Sequence, residues 1–555
     1  MAFRRLRALI LVASCLAVVL VMRATSFLSG SDSGHSFDIP QILDNSAPGT
    51  QAFSSTNQNL YIENEIKKPS VDLPCFFASS SAACAFTDYS WAPLPKTLLQ
   101  PRVKTRAFKN NTAYTQWKFI DRAPTNSSRI SSRTKINILY FNERREYLEK
   151  MDRYYYDEVK SAAEHPGLEV RMWGPGWQGY NTSMTARENI EATFPGLEFD
   201  LIYTKTWHHN VTSSTAVVIH GTGDLSESLV YVLPYQMDIG DCHRHKCIKD
   251  EYYPTHADAI TFRYAGLIME FSRPEQWYRR ESIRVSATFP SLDELSRKKL
   301  EQPMPFFFHS PDCADESIMH PIPHSTASTS MPKWEDSRPN LIQLIGSTRK
   351  TMYPLRHKVK QGIKAGKIQN AKVYEHVGYV LKGGVTKTVP VRQDRIGVFD
   401  PLDPDVAHHR KNQQNWAKTL ATTQICVFDS SIVRKAIRKY QESFMSGCVV
   451  AADIPLEMEN MFRNVVIPLK ASMSIEQINE TLQEYLKDKA RLSWMAQEAF
   501  KRARANWTCR NKVNRLLEAA EMVVGGDRGY WGPFCFSSTF RKFDSNTGTE
   551  WCNKE

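Results

Sequence analysis

The sequence predicts an α/β fold made of two Rossmann-like domains in series. From residue 135 onward, short runs of β-forming residues alternate with helical stretches, which is typical of parallel sheets joined by right-handed crossovers. The alternation stops in a polar, proline-rich passage at 311–339 and restarts at residue 340. A chain of 555 residues is also too long for one ordinary core, so two domains with flanking segments are the expected organisation.

The N-terminus has the pattern of a membrane-targeting segment. Three arginines among the first seven residues precede an uncharged apolar run at 8–22, which is about 15 residues long and is followed by Arg23. We expect a cytosolic tail at 1–7 and an uncleaved signal anchor at 8–28, in which Arg23 extends toward the interface. The basic residues then stay in the cytosol, and the rest of the chain is lumenal. A cleaved signal peptide, which would make the protein secreted, is the alternative.

Asparagine and cysteine positions agree with an oxidising secretory compartment. Sequons of the Asn-x-Ser/Thr type, each able to accept a glycan if exposed, occur at Asn110, Asn126, Asn181, Asn210, Asn479 and Asn506. Of the 11 cysteines, Cys15 lies in the apolar run and the other ten lie beyond it. An even number of cysteines is compatible with disulfides, although the sequence does not reveal how they pair. Cys75 with Cys84, and Cys242 with Cys247, are close enough for local loops. We therefore expect a single-pass type II protein of the Golgi or endoplasmic reticulum membrane.

Charge and motif content narrow the function classes. The formal net charge is +12, but the basic residues are dispersed and no nucleic-acid-binding motif occurs, so we do not expect nucleic acid as a partner. A basic lumenal protein suits anionic ligands such as nucleotide phosphates. The chain has no glycine-rich dinucleotide fingerprint, no Walker loop and no Ser-His-Asp arrangement in a recognisable context, which argues against a dehydrogenase, a kinase or a hydrolase.

The first Rossmann-like domain, which would hold the acceptor, is predicted at 134–310. It follows a region at 29–133 whose Ser, Thr, Asn and Pro content and weak periodicity are typical of a stem. A helical stretch at 151–164 separates the first two β runs of the domain. The β runs lie at 135–141, 168–174, 199–205, 215–221 and 257–266.

The second Rossmann-like domain is predicted at 340–525, between a linker at 311–339 and a C-terminal tail at 526–555. A basic helix near 354–365 follows its first β run, and long amphipathic helices occupy 474–524. The β runs of this domain lie at 340–346, 371–378, 423–429, 448–453 and 465–469.

The stretch KYQESFMSGCVVAADIP at 439–455 places a glutamate five residues before a glycine that ends a helix and leads into a strand. The helix is predicted at 436–446. Its apolar positions that face the sheet are Ile437, Tyr440 and Phe444. Gly447 stands where a helix C-cap requires a left-handed residue. Glu442 lies on the other face, where the alternative to a functional role is an exposed carboxylate paired with the basic residues three and four positions before it.

This stretch resembles the donor-binding segment of GT-B-fold glycosyltransferases of the CgeB-like or family-1-like group, in which a Glu-x-x-x-x-Gly helix leads into a strand. The resemblance implies two Rossmann-like domains that face a cleft, and a nucleotide-sugar donor whose ribose hydroxyls donate to Glu442. A carboxylate suits a vicinal diol because its two oxygens can accept from both hydroxyls. The helices at 474–524 look like those that cover the sheet in such enzymes and return toward the first domain.

The segment NLIQLIGSTRKTMYPLRHKV at 340–359 resembles the first strand and loop of the same domain in that family. A diphosphate needs cations and backbone N–H groups, which a glycine turn before a basic helix offers; each basic residue taken singly has an ordinary solvated position as its alternative. Arg356 is expected to add a bidentate contact. The donor-binding residues implied by the two segments are Gly346, Arg349, Lys350, Tyr353, Arg356, Lys439, Tyr440, Glu442, Ser446 and Gly447. The resemblance implies no tightly bound metal or other cofactor.

One position departs from the family pattern. Such enzymes often carry a second glutamate eight residues upstream, where this chain has Arg434. The difference argues against a retaining mechanism with two glutamates and leaves the nucleotide site standing. The alternative function is an ectodomain of the same architecture that binds carbohydrate or protein without catalysis.

The acceptor side is predicted in the first domain. Transfer to a hydroxyl needs a base near the acceptor or assistance to the leaving phosphate. His220 lies near the end of the β run TAVVIHG, and Asp224 follows it; α/β folds place ligands at such strand ends. We predict His220 and Asp224 as catalytic residues acting on a hydroxyl of a glycan or glycoconjugate, with His256 and His309 as further candidates. A loop histidine with a local hydrogen bond is the alternative for His220.

Two patterns that suggest metal ligands are interpreted otherwise. The hexapeptide from Cys242 to Cys247 cannot surround a tetrahedral ion by itself, and a disulfide loop is expected there. The acidic triplet within 400–405 contains Pro404, which predicts a rigid turn. We predict no metal site.

Overall fold

The structure of the chain is a computed structural model. It describes residues 91, 93–100, 102–108, 115–121, 133–144, 154–204, 215–222, 258–262, 306–321, 334–350, 352–374, 391–400, 404–431, 436–455, 462–526 and 530–531. The chain divides into two units, Met1–Asp72 and Leu73–Glu555, and all described residues belong to the second. The predicted anchor at 8–28 and the cysteines Cys75, Cys84, Cys242 and Cys247 lie outside the described residues. Within them, none of the helices combines the length and the apolar composition that crossing a bilayer requires.

The described chain begins with a short 3₁₀ helix and a β-hairpin. The 3₁₀ helix spans Lys96–Leu99, and its Leu98 is fully buried against the first domain. Strands β1 (Arg102–Phe108) and β2 (Thr115–Asp121) pair in antiparallel register. These two strands lie within the stem predicted at 29–133, whose limits stay a prediction. Basic residues at alternate positions of RVKTRAF hide the strand from a hydrophobic pattern.

The first large sheet is parallel and forms the core of the first domain. Its strands are β3 (Ile136–Phe141), β4 (Leu168–Trp173), β5 (Leu201–Thr204), β6 (Val217–Thr222), β7 (Ala259–Phe262) and β8 (Phe306–His309). The spatial order is β8-β7-β6-β5-β3-β4, and every neighbouring pair is parallel. The predicted β runs from 135 to 266 are confirmed by β3 to β7. They were recognisable because strands of a parallel sheet are covered on both faces and are therefore almost continuously apolar.

The second large sheet is also parallel. Its strands are β9 (Asn340–Leu344), β10 (Ala371–Val373), β11 (Thr423–Val427), β12 (Val449–Ala452) and β13 (Val466–Pro468). The spatial order is β10-β9-β11-β12-β13. All five predicted β runs of this domain are confirmed, although β10 is shorter than expected. The two-domain α/β class predicted from the sequence is therefore confirmed.

Helices cover both sheets. They are α1 (Tyr154–Ala163), α2 (Ala186–Thr193), α3 (Pro354–Lys364), α4 (Pro404–Ala421), α5 (Lys439–Met445), α6 (Ile475–Lys487), α7 (Lys489–Asn506) and α8 (Cys509–Val524). Apolar residues of α6 and α7 belong to the core of the second sheet, whereas those of α8 belong to the core of the first. The expected return of the C-terminal helices toward the first domain is confirmed. After α8, a short strand β14 (Tyr530–Trp531) pairs in parallel with β8.

The chain passes from one domain to the other twice, and the two passages are joined. Cys313, shortly after β8, forms a disulfide with Cys509 at the start of α8, across a sequence separation of 196 residues. The backbone N–H of Ala314 donates to the carbonyl of Trp507 at 2.9 Å. Cys313 and Ala314 are buried, so the first part of the predicted linker is packed in the protein rather than solvated. The limits predicted for the domains stay predictions.

A second disulfide lies inside the second domain, and two sequons fall in contrasting surroundings. Cys426 in β11 is bonded to Cys448, which directly precedes β12.

The sequon residue Asn181 is exposed. Asn506 is only 3% exposed, and its Nδ2 donates to the carbonyl of Arg502 at 2.9 Å. The folded protein therefore offers Asn181 to a glycan-transferring enzyme and withholds Asn506.

Candidate functional site

Predicted residues from two segments converge where β9 ends. Gly346 has a φ of +88°, a conformation that favours glycine. A Cβ atom at this position would lie 2.7 Å from Cε of Lys439 and 2.8 Å from Nη1 of Arg356. A lysine at the start of α5 and an arginine of α3 therefore lie against the turn that follows β9. Parallel α/β sheets bind ligands at the carboxyl ends of their strands, and this turn lies at that edge.

Arg349 and Lys350 continue the same turn and are both exposed. The structure thus places four predicted residues with cationic side chains around the Gly346 turn: two buried or half-buried ones against the glycine and two exposed ones beyond it. The turn is also held from α3, because Nζ of Lys360 donates to Oγ1 of Thr348 at 3.2 Å. The arrangement suits a ligand that brings negative charge close to the backbone.

Arg356 is engaged by the protein on every side that the structure describes. Its side chain is 1% exposed and forms an ion pair with Asp429, whose Oδ1 lies 2.8 Å from Nε. Nη2 donates to the carbonyl of Asp429 at 2.6 Å, and Nη1 donates to the carbonyl of Ser347 at 3.1 Å. The guanidinium also lies 3.7 Å from the centre of the Tyr353 ring. Arg356 therefore fixes the Gly346 turn to the end of β11, and Tyr353 supports Arg356.

Asp429, at the end of β11, is part of this site and was missed by the sequence analysis. Its Oδ2 accepts from the backbone N–H of Leu355 at 3.0 Å, in the first turn of α3. A protein carboxylate thus occupies the helix start that was predicted to receive a diphosphate. Burial raises the pKa of Asp429 to about 6, against the opposite effect of the Arg356 charge. The available signal was an aspartate directly after the buried run TQICVF, at a strand end of a parallel sheet.

The segment after Asp429 is held in an unusual conformation. Ser431 has a φ of +77°, which is uncommon for a residue with a side chain and occurs often at functional sites. The N–H of Ser430 donates to Oδ1 of Asp453, which follows β12, at 2.7 Å. The hydroxyl of Tyr440 donates to the carbonyl of Asp453 at 2.6 Å. Because Tyr440 is fully buried, the structure places this predicted donor-binding residue in the core beneath the site.

Glu442 lies on α5 and is only 6% exposed, so the alternative interpretation is wrong about exposure, although the expected pairing with Arg438 four positions before it is present. Its Oε1 lies 2.9 Å from Nε of Arg438, and its Oε2 accepts from Nε1 of Trp416 at 2.8 Å. Both oxygens therefore have a partner within the protein. The predicted ribose contact stays a prediction, and it would use the lone pairs that these two partners leave.

The expected apolar stripe of Ile437, Tyr440 and Phe444 is confirmed in the core of the second domain, although Ile437 precedes α5, which begins at Lys439 rather than at the predicted residue 436. Ser446 and Gly447 lie at the other end of the helix, about 10 Å along its axis from Lys439. Gly447 has a φ of +68°, as its predicted C-cap role requires. Its carbonyl accepts from Nε1 of Trp334, and the carbonyl of Ser446 accepts from Nη2 of Arg338 at 2.9 Å. These two residues end the helix and are remote from the Gly346 turn.

The acceptor-side predictions fall largely outside the described side chains. His220 is the fourth residue of β6 and pairs in register with Thr204 and Ile260, but its side chain lies outside the described part. Asp224, His256 and Arg434 lie outside the described residues. His309 ends β8 and is fully buried. In the part of the chain that the structure describes, no three His, Cys, Asp or Glu side chains are grouped as a metal site would need.

Two parallel Rossmann-like sheets, with the C-terminal helix returning to the first, have the GT-B architecture that the sequence resemblance predicted. No protein-family model matches the chain, and the comparison with curated proteins gives no match either.

Among solved structures, the chain is similar to several glycosyltransferases, the class of enzyme that the sequence resemblance named. Sucrose-phosphate synthase from Thermosynechococcus elongatus shares 12% identity, with a TM-score of 0.36 over 71% of this chain and 100% of that one. Anabaena HepE in complex with UDP-glucose shares 10% identity, with a TM-score of 0.39 over 69% and 98%. An alpha-glucosyltransferase in complex with UDP and a 13-mer DNA shares 10% identity, with a TM-score of 0.40 over 70% and 99%.

Proposed function

We propose that this protein is a glycosyltransferase that moves a sugar from a nucleotide sugar to a hydroxyl group of a glycan, glycoprotein or glycolipid. The observation that carries the proposal is the Gly346 turn at the carboxyl edge of the second sheet, against which the side chains of Lys439 and Arg356 lie. A larger side chain would be crowded there, and two cationic side chains lie against the backbone. This is the environment that a diphosphate requires.

The chemistry follows from this arrangement. The acceptor oxygen attacks the anomeric carbon, a new C–O bond forms, and the bond between that carbon and the phosphate oxygen breaks with its electron pair. The leaving nucleoside diphosphate gains negative charge, which Lys439, Arg349 and Lys350 stabilise. The acceptor proton passes to a base of the first domain, for which His220 is the proposed residue. Glu442 is proposed to accept from the ribose.

The proposed location is the lumen of the Golgi or endoplasmic reticulum, with the segment at 8–28 as membrane anchor. Two disulfides in the described residues, Cys313–Cys509 and Cys426–Cys448, support an oxidising compartment. A secreted form produced by cleavage of the leader is the alternative. N-terminal sequencing of the mature protein distinguishes them, because an anchored chain keeps its first residues.

Ligand-dependent unfolding tests the donor site. A nucleoside diphosphate from a panel that includes UDP and GDP should stabilise the protein by about 2.7 kcal/mol at a concentration 100 times its Kd. Lys439→Met should abolish most of this gain. Lys367→Met is the matched control, since Lys367 is exposed on the surface and paired with Glu476. A wild-type melting curve unchanged by every nucleotide and nucleotide sugar would overturn the proposal.

The second candidate is a binding ectodomain without catalysis. It is favoured by the engagement of both Glu442 oxygens by Arg438 and Trp416. Hydrolysis of nucleotide sugars distinguishes the two functions, because a glycosyltransferase slowly transfers its sugar to water whereas a binding module releases none.

A further inference from the structure

A chain of buried charged groups connects the two domains beside the proposed donor site. Arg438 directly precedes α5 and pairs with Glu442 through Nε. Its Nη2 is also bonded to Oδ2 of Asp157, a residue of α1 in the first domain. The other oxygen of Asp157 accepts from the side-chain amide of Gln413 on α4. Asp157 is 1% exposed, so the connection is shielded from water.

The position of this chain in the fold gives it a direct relation to the Gly346 turn. Asp157 lies in the first turn of α1, which begins at the carboxyl edge of the first sheet because it follows β3. Arg438 lies at the start of α5, at the carboxyl edge of the second sheet. The ion pair therefore bridges the two edges that face each other. Lys439, which closes upon Gly346, is the next residue after Arg438.

The charges are arranged so that the arginine is held from both sides. Asp157 and Glu442 each carry a carboxylate toward the same guanidinium. Burial by itself lowers the pKa of Arg438, but the carboxylates of Asp157, Glu442 and Asp312 more than offset this and raise it overall. A guanidinium fixed by two carboxylates from different helices has one orientation, and this fixes the helix start that carries Lys439.

We propose that Asp157 of the first domain is a positioning residue for the nucleotide-sugar site of the second domain. The inference rests on the proposed function and deepens it: the donor site takes its binding form only when the first domain supplies this carboxylate. Without it, Arg438 loses one of the two carboxylates to which its guanidinium is paired, and Lys439 loses its fixed place beside the Gly346 turn. Donor affinity then falls although no donor contact has been removed.

The adjacent residue provides a matched control. Glu158 is also 1% exposed and also lies on α1. Its carboxylate pairs with Lys512 of α8 at 3.4 Å and accepts from the hydroxyl of Tyr140, also at 3.4 Å. Asp157→Asn and Glu158→Gln therefore each remove one buried, paired charge from the same helix. Only the ion pair of Asp157, which joins it to Arg438, connects α1 to α5.

The experiment measures nucleoside diphosphate binding by calorimetry, and the donor KM and kcat, on the full-length protein. Asp157→Asn should raise the diphosphate Kd and the donor KM about tenfold, with a smaller change in kcat. Glu158→Gln should leave both within about twofold of wild type at a similar loss of stability. Asp157→Glu, which keeps the charge, should restore part of the affinity. If Asp157→Asn does not fold, Asp157→Glu and Glu158→Asp are compared instead, and only the first should weaken binding.

The outcomes separate this inference from the proposed function. Wild-type binding of a diphosphate with equal effects of the two substitutions, or with no effect of either, would overturn the role of Asp157 and leave the donor site intact. A wild-type protein that binds no nucleotide would overturn both.

Discussion

The substitution Gly346→Ala tests the geometry on which the donor site depends. The residue has a φ of +88°, and an added Cβ would lie 2.7 Å from Cε of Lys439 and 2.8 Å from Nη1 of Arg356. Real Cβ atoms do not approach other heavy atoms so closely, so both side chains, or the backbone of the turn, must shift. Lys439 can move at little energetic expense, whereas Arg356 is held by Asp429 and Ser347. We expect the lysine to be displaced from the turn.

The size of the effect follows from two contributions. The left-handed conformation costs an alanine about 1–2 kcal/mol relative to glycine. Overlap with packed side chains adds about 1–3 kcal/mol. Gly366→Ala isolates the first contribution, because Gly366 has a φ of +68° and a Cβ there would meet nothing within 4 Å. The smaller entropy of an unfolded chain with alanine is common to both variants and cancels in the comparison.

Urea unfolding and diphosphate titration of both variants provide the measurement. Gly346→Ala should lose about 1–3 kcal/mol more stability than Gly366→Ala, and its diphosphate Kd should rise more than tenfold. Gly366→Ala should bind as the wild type does. Equal losses of stability together with unchanged binding by Gly346→Ala would refute the convergence of Lys439 and Arg356 on this turn.

Three further predictions concern pH, glycosylation and helix ends. The pKa of Asp429 is raised from 3.8 to about 6 in the folded protein, so between these pH values the folded state binds more protons than the unfolded state does. The contribution of Asp429 to the free energy of unfolding should therefore rise by about 3 kcal/mol as the pH falls from above 6 to below 4. Urea titrations of the wild type and of Asp429→Asn across this pH range should show that difference. In secretory expression, mass spectrometry should find a glycan on Asn181 and none on the buried Asn506, and full occupancy of Asn506 would contradict its packing. Arg338→Met should lower the free energy of chemical unfolding by about 3 kcal/mol, because it removes the three hydrogen bonds that the guanidinium donates to backbone carbonyls. A loss of stability below about 1 kcal/mol would show that these carbonyls find other partners.

The fold was predictable from the sequence because its strongest signals are local. Runs such as INILYF and TQICV are continuous enough to mark buried parallel strands, and Gly447 marks a helix end by itself. The hairpin at 102–121 was missed because its alternation combines basic with small or apolar residues. The buried start of the linker was missed because Cys313 and Ala314 are covered by Trp507 and Cys509, almost 200 residues later.

The site was predictable only in part, and the reason is again the distance along the chain. The Gly346 turn and the helix of Glu442 were found because each resembles a known segment. The pairing of Glu442 with Arg438 was predicted, but the burial of the pair was not, because Asp157 covers Arg438 and Trp416 donates to Glu442, and both neighbours lie outside residues 439–455. Asp429 carries no pattern of its own. Its importance appears once Arg356 and the start of α3 are seen to meet it.

The bond between Cys313 and Cys509 makes the second domain a covalent ring, because the whole of its sheet lies between these two cysteines. A ring of about 200 residues restricts the unfolded chain enough to contribute about 5 kcal/mol to stability in the chain-entropy model. A protease that cuts once inside the ring opens it without releasing a fragment until the bond is reduced.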